Sequence, residues 1–107
     1  MSVAVIIDLP NGNEQRYEQV IATVFPEDQL PEGWEMHLGG PIEGGWRVVN
    51  VVPSQEEFET FANDRLRPAF EQAGEGDIVP QFTFFPVYKL IQNGTRGADK
   101  NAASSGG

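Results

Sequence analysis

Apolar residues recur with two different periods along this chain, and the changes of period mark out its elements. Residues 3–9 (VAVIIDL) are apolar at successive positions until Asp8, which predicts a strand with neither face left to water. Pro10, Asn11 and Gly12 interrupt it. Tyr17, Val20, Ile21, Val24 and Phe25 then fall on one helical stripe, and Asn13 stands where an N-cap belongs. Residues 26–33 form an acidic loop with two prolines.

The pattern then alternates. Trp34, Met36 and Leu38 share one face of a strand over 34–38, with Glu35 and His37 on the other. Residues 39–45 (GGPIEGG) read as the turn of a β-hairpin, and 46–52 as its second strand. In that strand Trp46, Val48, Asn50 and Val52 oppose Arg47, Val49 and Val51. Ser54 with Glu57 makes a capping box for a helix over 55–73. Its stripe is Phe58, Phe61, Ala62, Leu66, Ala69, Phe70 and Ala73, and Pro68 should disturb it near Asp64. The last strand, 81–91 (QFTFFPVYKLI), carries Pro86, which predicts an edge position or a bulge.

The element order β-α-β-β-α-β predicts an α+β, ferredoxin-like fold with a four-stranded antiparallel sheet. At 107 residues the chain is one domain, over 1–91, followed by a polar Gly- and Ser-rich tail over 92–107. Two helices cover only one face of such a sheet, yet the first, third and last strands are apolar on both. A second copy packed sheet to sheet hides the other face, so the pattern predicts a homodimer enclosing a barrel-like cavity.

Composition narrows the partners. The net charge is −9 and the seven Lys and Arg are scattered, so there is no basic stripe for nucleic acid or an anionic membrane. No apolar run reaches the roughly 20 residues of a membrane span or suits a signal peptide. With no cysteine and one histidine, thiolate chemistry and a two-histidine metal site within one subunit are excluded. The chain reads as soluble and cytoplasmic, and no metal site is expected.

His37 is the one side chain whose ordinary pKa suits a general base near neutral pH, and its plainer reading is a structural histidine. If the turn pairs Leu38 with Trp46, Arg47 lies across from His37. There it could stabilise an oxyanion, or simply pair with Glu35. Asn50 is polar on an apolar strand, so it bonds either a ligand or the protein. Simple alternation puts it on the face opposite His37. Trp34 and Trp46 offer an aromatic wall for a ligand, or core packing. Tyr17 lies on the first helix's stripe. Arg65 lies within the second's, where it either reaches a cavity or packs its stem and leaves its head at the surface.

The segments His37-Leu38-Gly39-Gly40-Pro41, Gly45 to Val51 (GWRVVNV), Ser54 with Glu57, Phe58 and Phe61, and Phe84-Phe85-Pro86-Val87 carry a family resemblance. The chain resembles the dimeric α+β barrel proteins near the antibiotic biosynthesis monooxygenase-like group, from residue 3 to about residue 91. That group often has an Asp at the position of Asn50 and Trp-Glu at the positions of Val52-Pro53. The resemblance implies a homodimer acting, without a cofactor, on a hydrophobic aromatic or polyketide-like small molecule. His37 would remove a proton, Arg47 or Asn50 would hold the oxyanion, and Trp34, Trp46, Tyr17 and Arg65 would line the substrate. The same residues would equally serve an isomerase or cyclase, and a non-catalytic ligand-binding or structural dimer remains the alternative.

Overall fold

The computed structural model describes residues 1–92; the polar tail beyond them lies outside the described residues. Four strands form one antiparallel sheet, β1 (Val3–Pro10), β2 (Met36–Ile42), β3 (Gly45–Val52) and β4 (Gln81–Pro86), in the order β2-β3-β1-β4. Helix α1 (Glu14–Val24) joins β1 to the hairpin, and a helical run joins β3 to β4. This is the α+β, ferredoxin-like arrangement that the periods predict.

The helix starts follow their caps. The Asn13 side chain accepts from the Arg16 backbone N–H at 2.9 Å, and Ser54 Oγ accepts from that of Glu57 at 3.1 Å. The second helical run is not one α-helix. It comprises α2 (Gln55–Phe61), a π-helical turn over Ala62–Leu66 and α3 (Arg67–Gln72). Pro68 has no N–H and its ring crowds the carbonyl four residues back, near Asp64. The widened turn absorbs both defects, with the Arg67 N–H reaching back to the Ala62 carbonyl.

Three expectations shift in the hairpin and at β4. The glycines at 39 and 40 and Pro41 are strand, not turn; the turn is only Glu43-Gly44, with Gly44 at φ 81°. An edge strand tolerates Pro41 because one row of its N–H groups has no partner to lose. Leu38 therefore pairs with Val49 rather than Trp46, and 49 − 46 = 3 is an odd displacement. An odd displacement exchanges the faces, so His37 and Asn50 are direct partners on the same face. β4 ends at Pro86 instead of residue 91, and it is an edge strand as Pro86 requires.

The core lies between sheet and helices. Val5, Ile7, Leu9, Val48 and Val52 from the sheet meet Val20, Val24, Phe58, Ala69 and Phe70 from the helices. Phe58 is 1 % exposed at its centre. The opposite sheet face carries Ala4, Ile6, Met36, Leu38, Val49, Val51 and Phe85, with Leu38 and Phe85 each half exposed. No helix among the described residues is long and apolar enough to cross a membrane.

Candidate active site

The register of the hairpin and the placement of α1 bring three polar side chains into one line. Tyr17 projects from α1, His37 from β2 and Asn50 from β3. The Tyr17 hydroxyl lies 2.6 Å from His37 Nε2, and His37 Nδ1 lies 2.6 Å from Asn50 Oδ1. An amide oxygen only accepts, so Nδ1 carries a proton and donates to Asn50. In the neutral ring Nε2 is then the acceptor, and the Tyr17 O–H donates to it. The two bonds fix one tautomer.

Electrostatics keep this chain of bonds uncharged. Burial pushes the His37 pKa below its ordinary value, against the opposing pull of the Asn50 bond and the Asp28 carboxylate. Burial pushes the Tyr17 pKa up, helped by Glu18 and Asp28. At neutral pH the site therefore holds a neutral imidazole beside an intact phenol. Aromatic neighbours fix the rings. Phe25 meets His37 edge-on at 5.0 Å, and Trp46 lies 5.1 Å from the Tyr17 ring.

All three polar groups line a cavity between the sheet and the helices, closed by apolar side chains such as Ile7, Val20, Val48 and Leu66. The barrel pattern places a cavity between two sheets, whereas this one lies within a single protomer on the helix side. Its volume is about 50 Å³. A cavity of ~150 Å³ holds benzene, so α1 and the sheet must part to admit an aromatic ring.

The remaining predicted residues divide. Trp46 lines the cavity. Trp34 does not; it sits in an aromatic cluster with Phe25, Phe58 and Phe61. Arg47 lies on the opposite sheet face, where Asp8 accepts from Nε at 2.6 Å and from Nη2 at 3.0 Å. Its partner is Asp8 rather than Glu35, and the sheet separates it from His37. Arg65 donates from Nη2 to the Val24 carbonyl at 3.0 Å and covers the Phe61 ring at 5.6 Å. It thereby satisfies an orphan carbonyl at the end of α1 and places a cation where the helix dipole favours one.

Two contributors escape a reading of the sequence. Arg16 stands at the cavity edge, bonded to the Asn11 carbonyl at 3.1 Å and to Asp77 at 2.9 Å, and its Nε rests against Glu75. Its carboxylate partners lie some 60 positions away, and no local pattern announces them. Asp28 acts on both Tyr17 and His37 from a turn whose residues Glu27 and Asp28 hold φ near +60°. Among the described residues no group of three or more His, Cys, Asp or Glu converges as a metal site would need.

No protein-family model matches the chain, and no curated protein sequence matches it. Solved structures do. One is a crystal structure of SnoaB, a cofactor-independent oxygenase from Streptomyces nogalater, with a TM-score of 0.56 at 13 % identity. The chain shares the SnoaB fold. The match covers 86 % of this chain and 98 % of SnoaB. A mutant form of SnoaB aligns over the same shares with a TM-score of 0.57 at 8 % identity. At these identities the likeness to SnoaB is one of fold, and the site must be argued from its own residues.

Proposed function

We propose that this chain is a cofactor-independent enzyme of the monooxygenase type, removing a proton from a hydrophobic, aromatic or polyketide-like molecule. The observation that carries the reading is the part-buried Tyr17–His37–Asn50 line, held in one tautomer at the wall of an apolar cavity. Tyr17 takes the substrate proton on its oxygen as its own proton passes to His37 Nε2. Asn50 keeps Nδ1 protonated throughout, so the ring becomes imidazolium without turning. The electron pair of the broken C–H bond stays on the substrate as a carbanion, balanced by the positive charge on His37.

The oxygen step takes its support from the fold shared with SnoaB. The carbanion R₂CH⁻ adds O₂ to give R₂CH–O–O⁻, which breaks its O–O bond to yield R₂C=O and hydroxide. The hydroxide takes the proton held on His37 and leaves as water, so R₂CH₂ + O₂ becomes R₂C=O + H₂O. A second copy covering the sheet face that bears Leu38 and Phe85 completes the reading as a homodimer. The acidic, cysteine-free composition suits the cytoplasm.

Anthrone is a suitable probe, because its ring methylene is acidified by the conjugated carbonyl. The expected result is O₂ uptake with anthraquinone formation, lost in His37→Ala. Full turnover by His37→Ala overturns the mechanism. Deuterium exchange into the methylene without O₂ uptake identifies a proton-transfer isomerase or cyclase instead. The alternative reading is a non-catalytic ligand-binding or structural dimer. That reading predicts no turnover and a ligand affinity that His37→Ala leaves unchanged.

A further inference from the structure

Trp46 is 9 % exposed, and its indole N–H has no hydrogen-bond acceptor among the described residues. Buried N–H groups in folded proteins are nearly always paired, because an unpaired one forfeits the bonds it made to water. The ring is held where it stands. It packs on Tyr17 at 5.1 Å and forms part of the cavity wall with His37 and Asn50. The strand opposite has been cleared for it. A Cβ on Gly39 would lie 3.1 Å from Trp46 Nε1 and 3.1 Å from Tyr17 Cζ, the carbon that bears the hydroxyl. The indole nitrogen and the phenol thus converge on the same stretch of β2, one a donor without an acceptor and the other the end of the proton line.

We propose that Trp46 Nε1–H is the hydrogen-bond donor for a carbonyl or phenolate oxygen of the ligand, and so selects an oxygen-bearing aromatic over its hydrocarbon counterpart. The assignment rests on the reading of this cavity as the substrate site. It adds a specificity-determining contact: the oxygen that Trp46 meets is conjugated with the position that loses its proton. Deprotonation of such a molecule moves negative charge onto that oxygen, where a fixed donor acts most strongly. Asn50 Oδ1 is an acceptor already taken by the His37 N–H, so only the Asn50 Nδ2 could donate beside Trp46. Arg47 lies beyond the sheet.

Acetophenone and α-methylstyrene test the proposal, because they share a shape and differ by a carbonyl oxygen in place of a methylene. The chain has two tryptophans, so its two indole N–H signals are resolved by proton–nitrogen NMR of the full chain. Acetophenone is expected to move one indole proton downfield and to bind about fivefold more tightly than α-methylstyrene, the equivalent of one net hydrogen bond. Trp46→Phe should remove that signal and bring the ratio of the two affinities to about one, whatever the smaller ring does to each affinity. The signal shift is read on the unaltered protein and stands even if Trp46→Phe folds poorly. Equal affinities, a preference that survives Trp46→Phe, or indole signals that neither compound moves would each overturn the assignment; the last is the signature of a donor satisfied by water alone. His37→Ala separates this from the reaction. If it abolishes anthrone turnover but keeps the acetophenone preference, both readings hold. If turnover persists and the preference remains, only the proton line fails. If neither compound binds, the assignment to Trp46 is overturned, and anthrone turnover alone then decides the reaction.

Discussion

Replacing Asn50 by Leu removes the one acceptor that fixes the His37 tautomer while keeping a side chain of similar size. Asn50 is 3 % exposed, and its Oδ1 lies 2.6 Å from Nδ1, so no water is placed to take over the bond. If the proton stayed on Nδ1, a buried donor would lose its partner, at a cost of about 1–3 kcal/mol. The imidazole has a way out. It can carry its proton on Nε2 and donate to the Tyr17 oxygen, which reverses the bond between them. The bias towards the Nδ1–H form then falls by one net hydrogen bond, about 1 kcal/mol, or roughly fivefold in population. The chain has a single histidine, so nitrogen-15 NMR reads both ring nitrogens without assignment. The unaltered protein should show a protonated Nδ1 and a bare Nε2, and Asn50→Leu a mixture or the reverse. Proton abstraction through Tyr17 should fall with it, within the ~10⁴-fold bound known for loss of a tautomer-holding group in serine proteases. An unaltered protein with its proton on Nε2, or a tautomer indifferent to Asn50→Leu, would refute the reasoning.

The lowered His37 pKa carries a sign for stability. The unfolded chain titrates near 6.5 and the folded one below it, so the unfolded state binds more protons between the two values. This contribution is complete above about pH 6.5, is lost as pH falls from there through the folded pKa, and is constant below. Urea unfolding compared between the protein and His37→Phe should show the difference shrinking over that window; a difference that grows towards acid contradicts the burial argument. Native mass spectrometry should give 2 × 11.8 = 23.6 kDa, and Phe85→Glu on the half-exposed face should give the monomer. A monomeric parent protein would leave the apolar face needing another partner. Phe58→Ala, at the centre of the core, should cost about 3–5 kcal/mol in urea, and a loss under 1 kcal/mol would mean that the helical layer is not packed on the sheet as described.

Periodicity carried most of the fold, because each element buries a face that its spacing displays. The stripe from Tyr17 to Phe25, the two caps and the disturbance at Pro68 all took their places in the structure. The hairpin misled because Gly-Gly-Pro is turn chemistry wherever it is read locally. Whether it bends depends on Glu43-Gly44 offering a tighter turn and on β2 lying at an edge, and the second of these is tertiary. That one displacement of register put Arg47 in the place of Asn50. His37, Asn50 and Tyr17 were each visible as candidates, but their alignment was not, since it needs the strand register and the seat of α1 together. Arg16 and Asp28 gave no signal, as their effects reach across the fold to residues remote in sequence.

The register that makes the site also has a steric foundation, and Gly45 is where it can be tested. A Cβ at Gly45 would run into the Leu9 carbonyl and stand 3.2 Å from the Asn11 backbone nitrogen. Both obstacles are backbone, so no rotamer relieves them. Gly45→Ala must push the start of β3 away from the end of β1. That strains the Leu9–Trp46 and Pro10–Gly45 pairings and the 2.9 Å bond from the Asn11 N–H to the Gly44 carbonyl. Overpacking of this kind costs about 1–3 kcal/mol. The hairpin could escape by slipping, but a one-residue slip would turn Trp46, Val48 and Val52 out of the core, at roughly 1.5–3 kcal/mol for each aliphatic side chain exposed. Slipping is the dearer course, so the register should hold and the strain should remain. Gly45→Ala is therefore expected to lose 1–3 kcal/mol in urea while the His37 Nδ1 proton keeps its wild-type signature. Unchanged stability would mean that β1 and β3 do not approach so closely. A lost Nδ1 signature in a folded protein would mean that the turn, and not the buried face, sets the register that pairs His37 with Asn50.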